Sequence, residues 1–360
     1  MQNNIPNIIE SILEHARWAP SGDNTQPWRF EITGADQFTV HCHDTRNHCV
    51  YDLKGHASQL ALGALLESIA IAASAFQKQA HFSIRPNMPE TQPTIEVTLT
   101  DAPDKPTDAL FPYLPIRSVQ RRPFKATPLT TRQKQVLESS VGDFYRVHWF
   151  EGFKEKFKLA FLMFKNGKLR LTMPEAYQTH SSIIEWRSRF SEQKVPDQAV
   201  GLDPVATRLM EWTLKSWNRV KFFNTFMAGT LLPRIELDFI PGLYCAAHFM
   251  LIAREKPQTL QDYLNAGRAL QRFWLTATSL GLQLQPEMTP LIFSGYIRNN
   301  LTFTAKPDLT RYAQKLADSF EQTTKNQTDI ASAIFMGRIG QGKIAYARSI
   351  RLPINSLKIS

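Results

Sequence analysis

Three groups of residues in this chain have the types and spacing to do chemistry. The first is the loop Pro20-Ser21-Gly22-Asp23-Asn24, followed directly by Thr25-Gln26-Pro27-Trp28. A Pro/Gly-shaped loop presents backbone N–H groups, and Ser21 and Asn24 add short side chains that hydrogen-bond at little cost in rotamer freedom. The second is IRSVQRRPF, Ile116 to Phe124, with Arg117 and Arg121 four positions apart. The third is the late stretch MGRIGQGKIAYARSIRLPI, which carries Arg338, Arg348 and Arg351. Guanidinium forks suit a phosphate dianion, each charge-assisted bond contributing about 1.5–3 kcal/mol. On the residues alone, the loop also reads as a helix stop, and the arginines as a basic turn and a basic tail. A fourth group, HCHDTRNHC (41–49), gathers His41, Cys42, His43, His48 and Cys49. Strand alternation sends His41 and His43 to one face and Cys42 to the other, and the spacing fits no familiar zinc pattern, so no metal site is expected.

The elements that must position these residues follow from periodicity. Ile5, Ile8, Ile9, Ile12, Leu13 and Ala16 predict an opening helix, capped by Asn4, with Pro6 in its first turn and Pro20 and Gly22 ending it. PWRFEI and FTVHCHD read as strands joined by a turn, ASQLALGALLESIAIAASAF as a buried helix, and TIEVTLTDA as a strand. The Pro-rich stretch 103–115 reads as a seam between halves. Beyond it come a helix opened by Pro128-Leu129-Thr130, the strand YRVHWFE and a long helical, basic and aromatic stretch over about 152–232. EWTLKSWNRVKFFNTFMAGTLLPR (211–234) reads first as packing between lobes, then as a lid or a membrane-touching face; Glu185, Trp186 and Arg187 read as helix surface before pocket lining. A buried strand at 247–253, the helix LNAGRALQRFWLTATSL, the loop GLQLQPEMTP and a late strand IASAIFMGRIG complete the chain.

Residues 62–76 line up with 266–280, so that Gly63 matches Gly267, Leu66 matches Leu270, Ile71 matches Leu275 and Ala73 matches Ala277. This is a chance likeness of two buried helices or a duplicated α+β unit, which implies a pseudo-dimer within one chain. The chain has 360 residues, 43% hydrophobic and 21% charged, and a formal net charge of +10. The length suits two ordinary domains. The positive charge is spread, without a basic run or a nucleic-acid motif, so nucleic acid is not an expected partner. Three cysteines, no apolar leader pattern and no membrane-spanning apolar run point to a reduced, cytoplasmic setting without an integral membrane segment.

Ala-Pro-Ser-Gly-Asp-Asn-Thr-Gln-Pro-Trp-Arg-Phe between a helix and a strand resembles the flavin-binding arm of the FMN-dependent nitroreductase superfamily. IRSVQRRPF resembles that family's arginine element. The resemblance implies an α+β, tandem nitroreductase-like fold with antiparallel-rich sheets, split as 1–110 and 111–360. It implies that Pro20, Ser21, Gly22 and Asn24 lie against the ring, with Gln26-Pro27-Trp28 anchoring the arm. Arg117, Ser118, Val119 and Arg121 would hold the ribityl phosphate and the pyrimidine end. Pro286, Glu287 and Met288 would pass the ring face, and Arg348 and Arg351 would reach the phosphate. Val119 departs from the family pattern, which has a hydroxyl residue there. The arm occurs once, in the first half, and the other pieces only in the second, which implies one complete and one degenerate site. The likeness is nearest to the fused, double-length branch, with dormancy-associated nitroreductase-like proteins and ThiF-associated nitroreductase domains. It implies hydride passing from NADH or NADPH through FMN to a small acceptor such as a nitroaromatic or quinone, with no catalytic side chain. The alternatives are an FMN-binding protein without turnover, or a specialised flavin dehydrogenase with an adenylating partner. The pseudo-dimer is self-sufficient or assembles further.

Overall fold

The computed structural model describes residues 8–226, 229–324 and 327–359. Asn4, Ile5 and Pro6, expected to start the first helix, lie outside them. The fold is α+β, built on two four-stranded antiparallel sheets.

Helix α1 (Ile8–Ala16) buries Ile9, Ile12, Leu13 and Ala16, the stripe its spacing dictates. Strands β1 (Trp28–Ile32) and β2 (Gln37–Cys42) follow, then α2 (His56–Ser74), β3 (Lys78–Ile84) and β4 (Thr94–Asp101), in the sheet order β1-β2-β4-β3. β3 was not expected from KQAHFSI. Its alternate residues Ala80, Phe82 and Ile84 are only partly buried against the first core, and antiparallel pairing with β4 along its whole length holds it in the sheet. Helix α2 is apolar nearly all round and buried nearly all round. It is the one helix among the described residues long and apolar enough to cross a membrane, and it lies inside the protein. The Pro-rich connection is packed, with Leu110 and Leu114 in the first core.

The second unit opens with α3 (Thr131–Ser140), started by a reciprocal Thr130–Gln133 capping box, and β5 (Tyr145–Phe150). An insertion then runs through α4 (Gly152–Thr172), α5 (Pro174–Ile183), the two-residue strands β6 (Ile184–Glu185), β7 (Phe190–Ser191) and β8 (Val195–Pro196), α6 (Pro204–Leu214), α7 (Trp217–Phe226), α8 (Leu231–Arg234) and α9 (Ile240–Leu243). The sheet resumes with β9 (Ala247–Ala253), α10 (Leu260–Ser279) and β10 (Leu282–Pro286). Helices α11 (Thr289–Arg298), α12 (Pro307–Thr324) and α13 (Gln327–Ser332) precede β11 (Ala333–Gln341). The stretch expected as a loop after α10 is therefore a strand. Gly281, at φ 70°, ends the helix, and Leu282 and Leu284 turn inward while Gln283 and Gln285 alternate outward against β11. The order is β5-β9-β11-β10. Counted within each unit, both sheets share one strand order, and each carries its long helix between its second and third strands.

Those two helices, α2 and α10, pack against each other at glycines. A Cβ on Gly63 would stand 2.1 Å from the Leu264 carbonyl oxygen, and one on Gly267 would stand 2.1 Å from that of Leu60. The contact is reciprocal, as in a two-fold interface. Glu67 of α2 accepts from Arg268 and Arg272 of α10, at 2.8 and 2.9 Å, and locks the crossing. After β11 the chain returns to the first unit. Strand β12 (Arg348–Ser349) pairs with β7, α14 (Ile354–Leu357) buries Leu357 in the first core, and the Ile359 N–H donates to the Phe30 carbonyl at 2.8 Å.

Candidate functional site

A cavity of about 1310 Å³ lies between the two units and the insertion. It exceeds the ~300–1,000 Å³ of an ordinary small-molecule pocket. Apolar residues of the crossed helices, among them Ala61 and Ala64 of α2 and Leu270 and Trp274 of α10, form one wall. Helices α5, α6 and α7 contribute the opposite, mostly apolar side through residues such as Ile183, Leu209 and Phe223. Of the residues expected at a site, every one except Glu287 lines this cavity.

At one end three arginines converge. Arg117 and Arg351 are buried and Arg348 is half-buried. None has a carboxylate partner among the described residues. Arg117 donates to the Trp18 carbonyl at 3.0 Å and stacks over the Trp274 ring at 4.6 Å. Arg351 donates through Nε to the Ala19 carbonyl at 3.0 Å and through Nη1 to that of Ile350 at 3.0 Å. Arg348 donates to the Pro115 carbonyl at 2.8 Å and lies over Trp18. The Nε atoms of Arg117 and Arg348 are buried without a protein partner. Burial, with repulsion from Arg351 and Arg348, pulls the Arg117 pKa well below its ordinary value. Burial, with Arg348 and Arg17, lowers Arg351 to about 9. Buried cations with spare donors and no carboxylate partner among the described residues have the chemistry that suits an anion.

A second polar group faces the same cavity. Burial raises the pKa of Asp23, opposed by Arg121. Burial lowers Arg121 to about 10, with Asp23 opposing, and its Nη1 donates to the Ala199 carbonyl of the insertion at 3.1 Å. Tyr51 and His180 share a hydrogen bond of 2.9 Å, Oη to Nε2. Burial raises the Tyr51 pKa and, with Arg170, lowers His180 to about 3, so the pair is a neutral phenol beside a neutral imidazole. Arg170 is itself held by Asp238, at 2.8 Å.

The loop Pro20–Asn24 lines the cavity, but its side chains also hold the fold. Ser21 Oγ accepts from the Gln26 N–H at 3.0 Å. Asn24, at φ 63°, sends Nδ2 to the carbonyls of Glu192, at 3.0 Å, and Ile350, at 3.1 Å. It clasps the insertion and the C-terminal tail together, and its amide donors are not free to face a ring. Gln26, fully buried, joins the same seam through Glu192 and Leu352. Val119 and Ser118 sit beside Arg117, and a parallel bridge from Val119 to Leu284 ties the arginine loop to the edge of β10.

Pro286 and Met288 reach the cavity; Glu287, between them, does not. Alternation at the end of β10 sends it to the sheet face shared by Gln285, Arg338 and His248, where it is buried and accepts from His248 Nδ1 at 2.6 Å and Arg338 Nη1 at 2.9 Å. Arg338, a neighbour of the expected phosphate site, is drawn into the same buried group and donates to the Arg121 carbonyl at 2.7 Å. Glu287 thus fixes the arginine loop from beneath. Against its burial, the Glu287 charge raises the His248 pKa to about 10. Tyr51, Arg170 and His180 were not anticipated. Tyr51 and His180 are 129 residues apart and sit in no motif, so no spacing pattern joins them.

The fold and cavity define a two-unit α+β protein with a deep site at the junction of its units, cationic at one end. No family model matches the chain. Among curated proteins, the uncharacterized protein MT1398 of Mycobacterium tuberculosis is 21% identical over 320 residues. The match covers 88% of this chain and 43% of that protein, so the chain spans less than half of its relative's length. Among solved structures, a nitroreductase-like family protein from Bacillus cereus is similar with a TM-score of 0.33 and 12% identity, over 69% of this chain and 94% of that one.

Proposed function

We propose that this protein is an FMN-dependent oxidoreductase of nitroreductase type, built from two nitroreductase-like halves, that takes reducing equivalents from NADH or NADPH. The acceptor is a small molecule such as a nitroaromatic or a quinone. The observation that carries the reading is the arginine end of the cavity. Arg117, Arg348 and Arg351 are desolvated without a carboxylate, and two of their Nε atoms lack a partner. A phosphate dianion there answers both deficits. The remaining residues fit the rest of the group. The wall of Ala61, Ala64 and Leu270 offers apolar packing, and Arg121 brings a further positive charge to the cavity.

When bound, FMN would supply the two-electron chemistry at its N5 atom, and no side-chain acid or base is assigned. The chain's own work is positional and electrostatic. Arg121, fixed through its carbonyl by Arg338, favours negative charge on whatever lies beside it. Helices α5 to α7 wall one side of the cavity, and Pro286 and Met288 line it as well. One complete site per chain, in a self-sufficient pseudo-dimer working in the cytoplasm, completes the proposal. Purified protein should be yellow and release FMN on denaturation. Colourless protein that takes up no FMN on reconstitution overturns it.

The insertion favours a second reading, an FMN-binding protein without turnover, because its helices cover the face that a nicotinamide must reach. Anaerobic mixing with NADH and with NADPH separates the two. Bleaching of the flavin absorbance supports the oxidoreductase; unchanged absorbance with both supports the binding protein.

A further inference from the structure

The insertion carries most of the exposed large apolar side chains among the described residues, and on α4 they are arranged. Phe153, Phe157 and Phe161 fall at i, i+4 and i+8 and are 73, 42 and 41% exposed. Isolated exposed apolar residues are ordinary; a stripe of three phenylalanines along one helix face is not. Helices α7 and α8 pack against α4 and extend the apolar surface. Phe226 is 72% exposed, and Phe222, Leu231 and Leu232 are about half exposed.

The charge on these helices is predominantly positive. Lys154, Lys158 and Lys168 are exposed on α4, Lys165 holds its Nζ 4.5 Å from the centre of the Phe161 ring, and Lys221 stands beside Phe222. Glu155 is the only acid within α4, α7 and α8. Phenylalanines interleaved with lysines match the chemistry of an anionic bilayer surface, where rings enter the acyl boundary and ammonium groups stay with the headgroups. The protein as a whole, at +10, adds to that attraction. The same elements roof the cavity. Phe223 and Asn224 of α7 line it, and Leu232 lines it while remaining 47% exposed, which puts an opening of the cavity beside this face.

We propose that α4, α7 and α8 form a docking face for an anionic lipid bilayer, seating the protein peripherally with the Leu232 mouth of the cavity against the membrane. Apolar ligands dissolved in the bilayer then reach the cavity without crossing water. Flotation of the full chain with phosphatidylcholine vesicles, with and without phosphatidylglycerol, tests this directly. Wild type should float with the anionic vesicles and be released by high salt, as screening requires. Lys154→Glu with Lys158→Glu should lower partitioning by about tenfold or more, each surface cation contributing roughly tenfold or less. Phe153→Ser with Phe226→Ser, both at side chains too exposed to hold the core, should lower it at both salt concentrations while leaving the melting temperature unchanged. Wild type that stays with the soluble fraction, or floats equally with neutral vesicles, overturns the proposal. So does a stable dimer that the serine pair dissociates, because the face is then covered by a second copy. The readout does not depend on bound flavin, so its failure is distinct from failure of the oxidoreductase reading.

Discussion

Replacing Arg117 with Met separates the phosphate from the ring as sources of affinity. Arg351 spends Nε and Nη1 on backbone carbonyls, and Arg348 spends both terminal nitrogens on those of Pro115 and Ile116. Arg117 gives only Nη2 to Trp18, and its Nε is buried without a partner. It therefore has the most donors left for an anion, enough for two charge-assisted bonds. At about 1.5–3 kcal/mol each, their loss weakens FMN binding by ~3–6 kcal/mol, or roughly 10²- to 10⁴-fold. Riboflavin, which lacks the phosphate, should bind wild type and Arg117→Met within a factor of about three, the scale of additivity error. Arg351→Met should cost FMN less than Arg117→Met does. Apoprotein titrated with FMN and with riboflavin, followed by flavin fluorescence or calorimetry, gives the four affinities that close the cycle. Equal affinity of wild type for both flavins refutes the reasoning. So does an equal loss for both in the variant, which marks a change of cavity shape rather than a lost phosphate contact.

Stability should peak near neutral pH, between two histidines with opposite shifts. His248, raised to about 10, stabilises fully below its unfolded value near 6.5 and loses that contribution as pH rises through 10. His180, lowered to about 3, stabilises above 6.5 and loses that contribution as pH falls toward 3. Denaturant midpoints across pH should flatten on the alkaline side in His248→Gln and on the acid side in His180→Gln; unchanged limbs would count against both assignments. Gly63→Val drives a side chain into the Leu264 carbonyl and should destabilise by at least ~1–3 kcal/mol in chemical unfolding, with a wild-type midpoint as the contrary result. Asn24→Ala removes donors from buried carbonyls, costs about 1–3 kcal/mol and should open the 190–195 segment to limited proteolysis; an unchanged digestion pattern would rule out the clasp.

The parts of this molecule legible in the sequence are those governed by local rules. The stripe of α1, the all-round apolarity of α2 and the Gly63/Gly267 correspondence each follow from periodicity or residue size. The arginines were found because few residue types bind anions. What escaped was set by tertiary partners. β3 has only the short alternation Ala80, Phe82, Ile84 among polar residues, and pairing with β4 along its whole length holds it. Glu287 reads as a lining residue until strand alternation sends it to the opposite sheet face, where a buried histidine 39 positions away pairs with it. Asn24 reads as a ligand until the carbonyls of two distant segments claim its amide. Tyr51 and His180 meet only because the insertion folds back over the first unit. Their pairing has no local signature at all.

The C-terminal tail has a consequence for the order in which the molecule can assemble. Arg17 donates to the carbonyl of Arg351, 334 residues away, and that same residue completes the arginine cluster at one end of the cavity. The first unit can bury α1, α2 and its sheet early in synthesis, and its loop at 18–24 can close against Arg117 and Glu192, but the partners from Ile350 and Arg351 come only after residue 348 has emerged. Contacts this distant in sequence form late and slowly. A chain cut short before residue 348 would keep the strands of both four-stranded sheets and lose two of the three arginines at that end of the cavity.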